Sequence, residues 1–221
     1  MANASPLRCT IDHLVVAASS LEAGAQYVRD TLGVEPEAGG QHARMGTHNR
    51  LLKLGETVYL EVIAIDPAAP PLAHARWFDL DRRAPHAPPR LVTWVVRTND
   101  IETAAARCGV ELGIIETMTR GSLSWRITIP RDGSLPFDGV MPALIQWNVD
   151  EHPATRMADR GCILAALEGH HAEAVRIRAA LQALGLSDVS VATPAPCEPA
   201  SLAAAIDTGK GRCILSSRRD G

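Results

Sequence analysis

Apolar and polar positions fall into short blocks along this chain. Ile11 to Ala18 (IDHLVVAA) reads as a strand with a buried apolar end. Ser19 and Ser20 offer N-caps for a helix through Leu32, and Gly33 is a good stop. Ala43 to Leu54 contains one or two strands, and Gly55-Glu56 is a turn signal. Thr57 to Ile65 (TVYLEVIAI) is β-branched and aromatic, hence a strand, and the prolines between Asp66 and Pro71 break it. Arg76 to Pro89 is a connector rich in Pro, Arg and Asp. It either covers a pocket or is a plain surface loop.

The pattern then restarts. Arg90 to Arg97 is a strand, Asp100 caps a helix from Ile101 to Cys108, and Gly109 ends it. Gly113 to Thr119, Ser122 to Pro130 and Pro142 to Val149 read as strands, with a turn-rich loop over Arg131 to Gly139. Ile11-Asp12-His13-Leu14-Val15-Val16 followed by Ser20-Leu21-Glu22 matches Leu91-Val92-Thr93-Trp94-Val95-Val96 followed by Asp100-Ile101-Glu102. This weak internal repeat predicts an α/β (α+β) fold. A strand, a crossover helix and further strands leave one face open and apolar. Two such βαβββ modules can pair and form a curved mixed sheet around a pocket. The expected organisation is a two-module domain over 9–155, with modules at about 9–70 and 90–150 and a connector at 71–89.

Residues 156–221 are expected to form a C-terminal αβ extension packed on that domain. Cys162 to Leu167 is a strand, His170 to Leu184 an Ala-rich helix, and Ser187 to Ala192 a strand. Ser201 to Ile206 is a strand or a helix, and Gly211 to Ser216 a last strand. A degenerate third copy of the module is one reading of this order.

Composition narrows the picture. Of the 221 residues, 46% are hydrophobic but only 4% are aromatic, so the core is built mainly of Leu, Val, Ile and Ala. The formal net charge of -3, with acids and bases mixed, argues against nucleic acid or a membrane surface as partner. Met1 to Leu7 lacks the basic start and apolar run of a leader, and no apolar stretch is long enough to span a bilayer. These features give a cytoplasmic expectation. Cys9, Cys108, Cys162, Cys197 and Cys213 are odd in number and widely spaced, which fits reduced thiols rather than a disulfide framework or zinc site. G-x-G-x-x-G, Walker, G-x-S-x-G and H-E-x-x-H motifs do not occur, which disfavours nucleotide-dependent and serine-hydrolase chemistry.

Asp12-His13-Leu14, Gly46-Thr47-His48-Asn49 leading to Tyr59-Leu60-Glu61, and Leu144-Ile145-Gln146-Trp147 resemble the glyoxalase-like domain family. That family belongs to the glyoxalase, bleomycin-resistance and extradiol-dioxygenase (vicinal-oxygen-chelate) superfamily. The resemblance covers roughly residues 9 to 155. It implies metal ligands on the first and last strands of each module. Carried over, these are His13 and Glu61, then Thr93 and Gln146. Threonine is a poor ligand, which leaves His13, Glu61 and Gln146 to hold Zn, Ni, Mn or Fe(II) with open positions for water or substrate. Glu61 is then the catalytic base. His42 or His48 could complete the set.

The resemblance further implies a small-molecule ligand, a homodimer, and lyase, isomerase or dioxygenase chemistry on a vicinal-oxygen compound. The alternative is a metal-free binding protein of the bleomycin-resistance type. Each residue also has a plainer reading. His13 could be a hydrogen-bonded core residue, and Glu61 a solvated strand position. His48 and Asn49 hold a polar substrate or sit in a turn. Trp94, Trp125 and Trp147 pack the core or stack on a ligand. Arg126 anchors an anion or pairs on the surface. Thr93 joins these as a pocket residue. His170 and His171 begin the C-terminal helix, where adjacent residues do not share a face and make a poor metal pair.

Overall fold

The computed structural model describes residues 6–149 and 151–218. Part of the stretch read for a leader (1–5), Asp150 and the last three residues of the extension lie outside the described residues.

The first module runs β1 (Cys9–Ala17), α1 (Leu21–Leu32), β2 (Glu37–His42), β3 (Thr47–Lys53) and β4 (Tyr59–Ile65). The second repeats it with β5 (Arg90–Thr98), α2 (Ile101–Cys108), β6 (Ile114–Arg120), β7 (Leu123–Ile129) and β8 (Ala143–Trp147). The helices start where the sequence places them. Ser20 Oγ accepts from the Ala23 N–H at 3.1 Å, and Asp100 Oδ1 accepts from the Thr103 N–H at 3.0 Å. Gly33 and Gly109 end them at φ 73° and 66°, a backbone region that favours glycine.

The eight strands form one sheet in the order β2-β3-β4-β1-β5-β8-β7-β6. Within each module the first and last strands are parallel, β1 with β4 and β5 with β8. The modules join through antiparallel β1 and β5, where Leu14 faces Trp94. Pairing therefore occurs within one chain. β2 (EAGGQH) escapes sequence reading because it has no apolar alternation. It forms as an edge strand held by its ladder to β3.

Strand alternation sorts the side chains onto two faces. Leu14, Val16, Leu60 and Val62 pack outward under α1 and α2, with Val28, Leu32, Ile101 and Ala104. Val15, Ala17, Ile63, Val95 and Ile145 face the other, concave side. The sheet curls until its two edge strands, β2 and β6, come together. An Arg44–Glu116 ion pair at 2.6 Å spans that seam. Trp77 and Phe78, from the connector between the modules, are buried on the concave side.

The extension contains β9 (Ile163–His170), α3 (Ala174–Ala183), β10 (Ser190–Ala192), β11 (Ser201–Thr208) and β12 (Gly211–Ser216). Its sheet has the order β10-β9-β11-β12, and Leu167, Ile177, Leu181, Leu202 and Leu215 join the outward core of the two modules. The element order copies a module, but the strand order does not. The parallel neighbour of β9 is β10, the strand directly after the helix, whereas in a module that place belongs to the last strand. The extension is thus a separate βαβ crossover with a hairpin, not a third copy. His170 and His171 also differ from expectation. His170 pairs with Ala192 in the sheet, and His171 Nδ1 accepts from the Glu173 N–H at 3.0 Å, a local turn that delays the helix to Ala174. Among the described residues, no helix is long and apolar enough to cross a membrane.

Candidate functional site

A bulge in β1 builds the centre of the concave face. Ile11 pairs with Val96 and His13 with Val95, which leaves Asp12 unmatched between them. Such an extra residue re-aims its neighbours. Asp12 is fully buried, and its Oδ1 takes the His13 Nδ1 at 2.6 Å. Its Oδ2 takes the Trp147 Nε1–H at 2.9 Å and the His152 Nε2 at 2.8 Å. The Ala154 N–H donates to His152 Nδ1, so Nε2 carries the proton given to Asp12. Burial alone would raise the Asp12 pKa. Hydrogen bonds from His13 and His152 outweigh it and hold the carboxyl well below its usual range. An ionised Asp12 fixes His13 with Nδ1–H inward, which turns Nε2 to the cavity. Tyr59 stacks on His13 at 4.6 Å, and burial, then the charges of Asp12 and Glu61, push its phenol well above the ordinary range.

Glu61, on β4, faces His13 across the site, with Oε2 3.7 Å from His13 Nε2. Its other oxygen accepts from Asn49 Nδ2 at 2.6 Å. Asn49 is itself gripped by a second bulge, in β2 at Gly39 and Gly40. The Gly40 N–H donates to Asn49 Oδ1 at 2.8 Å, and a Cβ on Gly39 would stand 2.0 Å from that oxygen. Only glycine fits there.

Arg120, at the end of β6, reaches across the seam. One guanidinium nitrogen lies 3.3 Å from both Asn49 Oδ1 and His42 Nε2. His42 is buried, and its pKa is lowered to about 4, chiefly by burial. Its neutral ring accepts from Arg120 and meets Thr47 Oγ1 at 3.1 Å through Nδ1. Arg120 lines the cavity, where it meets the uncharged Asn49 and His42. Trp125, Ile127, Ile145 and Trp147 form the opposite wall, and Trp77 with Phe78 closes the front. The cavity is about 30 Å³.

The model of the glyoxalase-like domain family matches residues 11–185, more than half of the sequence. The chain belongs to the glyoxalase-like domain family. That places it in the vicinal-oxygen-chelate superfamily. A hypothetical protein from Staphylococcus aureus is similar over 96% of this chain and 85% of its own, with 14% identity and a TM-score of 0.57, a likeness of fold. A Streptomyces coelicolor methylmalonyl-CoA epimerase variant in complex with 2-nitronate-propionyl-CoA matches 65% of this chain and 100% of its own, at 21% identity and a TM-score of 0.45. No functionally curated protein matches the chain.

Of the residues singled out from the sequence of this glyoxalase-like chain, His13, His42, Asn49, Glu61, Trp125 and Trp147 line the cavity together. Gln146 does not. Ile145 and Trp147 face the cavity, so Gln146 between them points outward. There its Oε1 accepts from the Ile101 N–H at 2.9 Å and from Arg126 at 2.8 Å, beside an Arg126–Glu102 ion pair. Gln146 and Arg126 thus hold the start of α2. Trp94 lies in the outward core and donates to the Val140 carbonyl at 2.9 Å. Thr93 donates to the Gly139 carbonyl at 3.2 Å and lines a smaller neighbouring cavity. His48 is half-buried and outside the cavity, on the strand face opposite Asn49. Trp77 lies in the connector read as a pocket cover or a surface loop, none of whose residues was singled out, while Arg120 and His152 were missed. They arrive from distant segments, and no local pattern marks them.

The expected divalent ion (Zn, Ni, Mn or Fe) does not suit this donor set. Neither second-module candidate reaches the cavity, since Thr93 lines the neighbouring one and Gln146 points outward, and the Arg120 cation occupies the polar side. Among the described residues, no three His, Cys, Asp or Glu side chains come together to hold a metal.

Proposed function

We propose that this glyoxalase-like protein is a metal-independent isomerase that moves a proton at a carbon beside a carbonyl in a small anionic substrate. The observation that carries this reading is a buried carboxylate, Glu61, facing the free nitrogen of an imidazole that Asp12 orients. Glu61 Oε2 takes the C–H proton as base. The C–H electron pair forms a C=C bond, and the carbonyl pair moves to oxygen. The resulting enolate lies against Arg120, whose charge stabilises it in a site with little water. His13 Nε2 takes the proton of the hydroxyl on that carbon and hands it to the former carbonyl oxygen, while Glu61 returns its proton to the former carbonyl carbon, so that carbonyl and hydroxyl exchange places. Asp12 stabilises the imidazolium formed in between. This dispenses with the Lewis acid that a metal would supply.

Deuterium incorporation tests it. A panel of 2-hydroxyaldehydes, 2-oxoaldehydes and 2-oxo acids in D₂O is followed by proton NMR with EDTA-treated protein. We expect exchange beside the carbonyl of at least one member, lost in both Glu61→Gln and His13→Gln. Exchange that appears only on adding Zn, Ni, Mn or Fe(II) would overturn metal independence. No exchange with any member would leave a metal-free binding protein as the better account.

A further inference from the structure

Two cavities share one aromatic wedge. Trp77 and Phe78 separate the His13–Glu61 cavity, about 30 Å³, from a second of about 10 Å³ beside Thr93, Thr128 and Ala143. The two rings stack at 5.3 Å and 19°. Neither space holds much more than a water molecule.

The wedge is also the least satisfied part of the described structure. Among the described residues, the buried side-chain nitrogens without a hydrogen-bond partner are Arg76 Nε, Trp77 Nε1 and Arg83 Nε, all in this connector. Native interiors pair such groups, so each exception calls for an explanation. By contrast, the Trp94 and Trp147 indoles both donate, to Val140 and Asp12. Phe78 and Asp79 both hold φ at 59°, an uncommon backbone state for residues other than glycine, and one that collects at ligand clamps.

Withdrawing the wedge joins the two cavities, from His13 in the first module to Thr93 in the second. It also uncovers Trp125, Ile129, Leu135 and Pro136. That surface stays dry only if an apolar group of similar shape replaces the rings. We infer that the wedge masks a subsite for an aromatic ring on the substrate, and that the Trp77 indole N–H donates to the ligand that displaces it. The inference deepens the proposed function, because it places the ring behind the reacting carbon. The wedge and the orphan indole themselves do not depend on the proposed chemistry.

Two pairs of probes test it by calorimetry on the full chain: phenylacetate against acetate, and benzyl alcohol against ethanol. The aromatic member of each pair is expected to bind about tenfold or more tightly. Phe78→Ala is expected to tighten the aromatic probes further, because it removes part of the closing contact. The Trp77 indole resonance, assigned with Trp77→Phe, is expected to shift on binding while that of Trp94 stays. Equal affinities within both pairs, or weaker aromatic binding in Phe78→Ala, would overturn the subsite. If the alcohols discriminate and neither carboxylate binds, the subsite stands and the anionic head assigned to Arg120 falls.

Discussion

The two modules share a topology, helix caps and strand order, yet they do opposite things on the concave face. The first presents His13, Asn49 and Glu61, with Asp12 buried behind His13. The second presents Val95, Ile127, Ala143 and Ile145, with the Arg120 cation at its edge. Two of the polar groups in the first module need irregular backbone to be seated, while Glu61 sits on a regular strand. A bulge carries Asp12, and a Gly-Gly bulge clasps Asn49. Duplication supplies two equal walls, and the bulges make one of them chemical. The apolar wall then serves the polar one, since it keeps water from the buried charges and strengthens their interactions.

The largest contrast should come from Asp12 and Thr93, on the adjacent strands β1 and β5. Asp12→Ala strands the donors of His13, Trp147 and His152, and should lower stability by about 3 to 5 kcal/mol in urea unfolding. Thr93→Val removes one hydrogen bond and should lower it by about 1 kcal/mol. Equal losses would break the comparison.

Acid should weaken the polar module next. His42 is held at about 4 against an ordinary 6.5 by burial, with further lowering by Arg120, His13 and His48 and an opposing effect of Glu61. Between those values the unfolded chain binds a proton that the folded chain refuses. The contribution of His42 is therefore complete above pH 6.5 and is lost as pH falls towards 4, at most roughly 3 kcal/mol. Asp12 extends the loss to lower pH, because its folded carboxyl also titrates below the unfolded one. In His42→Gln, stability measured between pH 7 and 4.5 should vary less than in the parent protein. An unchanged slope would assign the acid sensitivity elsewhere.

The smallest effect sharpens the account of Gln146. Gln146→Ala removes an acceptor from the Ile101 N–H while Asp100 still caps α2, so stability should fall by about 0.5 to 1 kcal/mol. Deuterium exchange at the substrate should be unaffected. Loss of exchange in this variant would return Gln146 to the site.

Much of this was legible in the sequence. The strands over Ile11 to Ala18 and Arg90 to Arg97, with caps at Ser20 and Asp100, carry both modules in apolar blocks and cap residues. The face of a residue was harder to read. Gln146 and Ile145 differ by one position, and one position in a strand exchanges cavity for exterior. The bulge at Asp12 works the same way, since an extra residue resets the alternation without any sign in residue type. Arg120 and His152 reach the site through sheet curvature and a linker, long-range features that no local window contains.

The central claim is that the proton-transferring groups reside in the first module and need no metal. Nitrogen-15 NMR of the histidines, recorded with and without equimolar Zn(II), tests it most directly. The account predicts His13 protonated at Nδ1 with a free Nε2, unchanged by the ion. A shift of His13 Nε2 on adding Zn(II), abolished in Glu61→Gln, would show a metal site and contradict it.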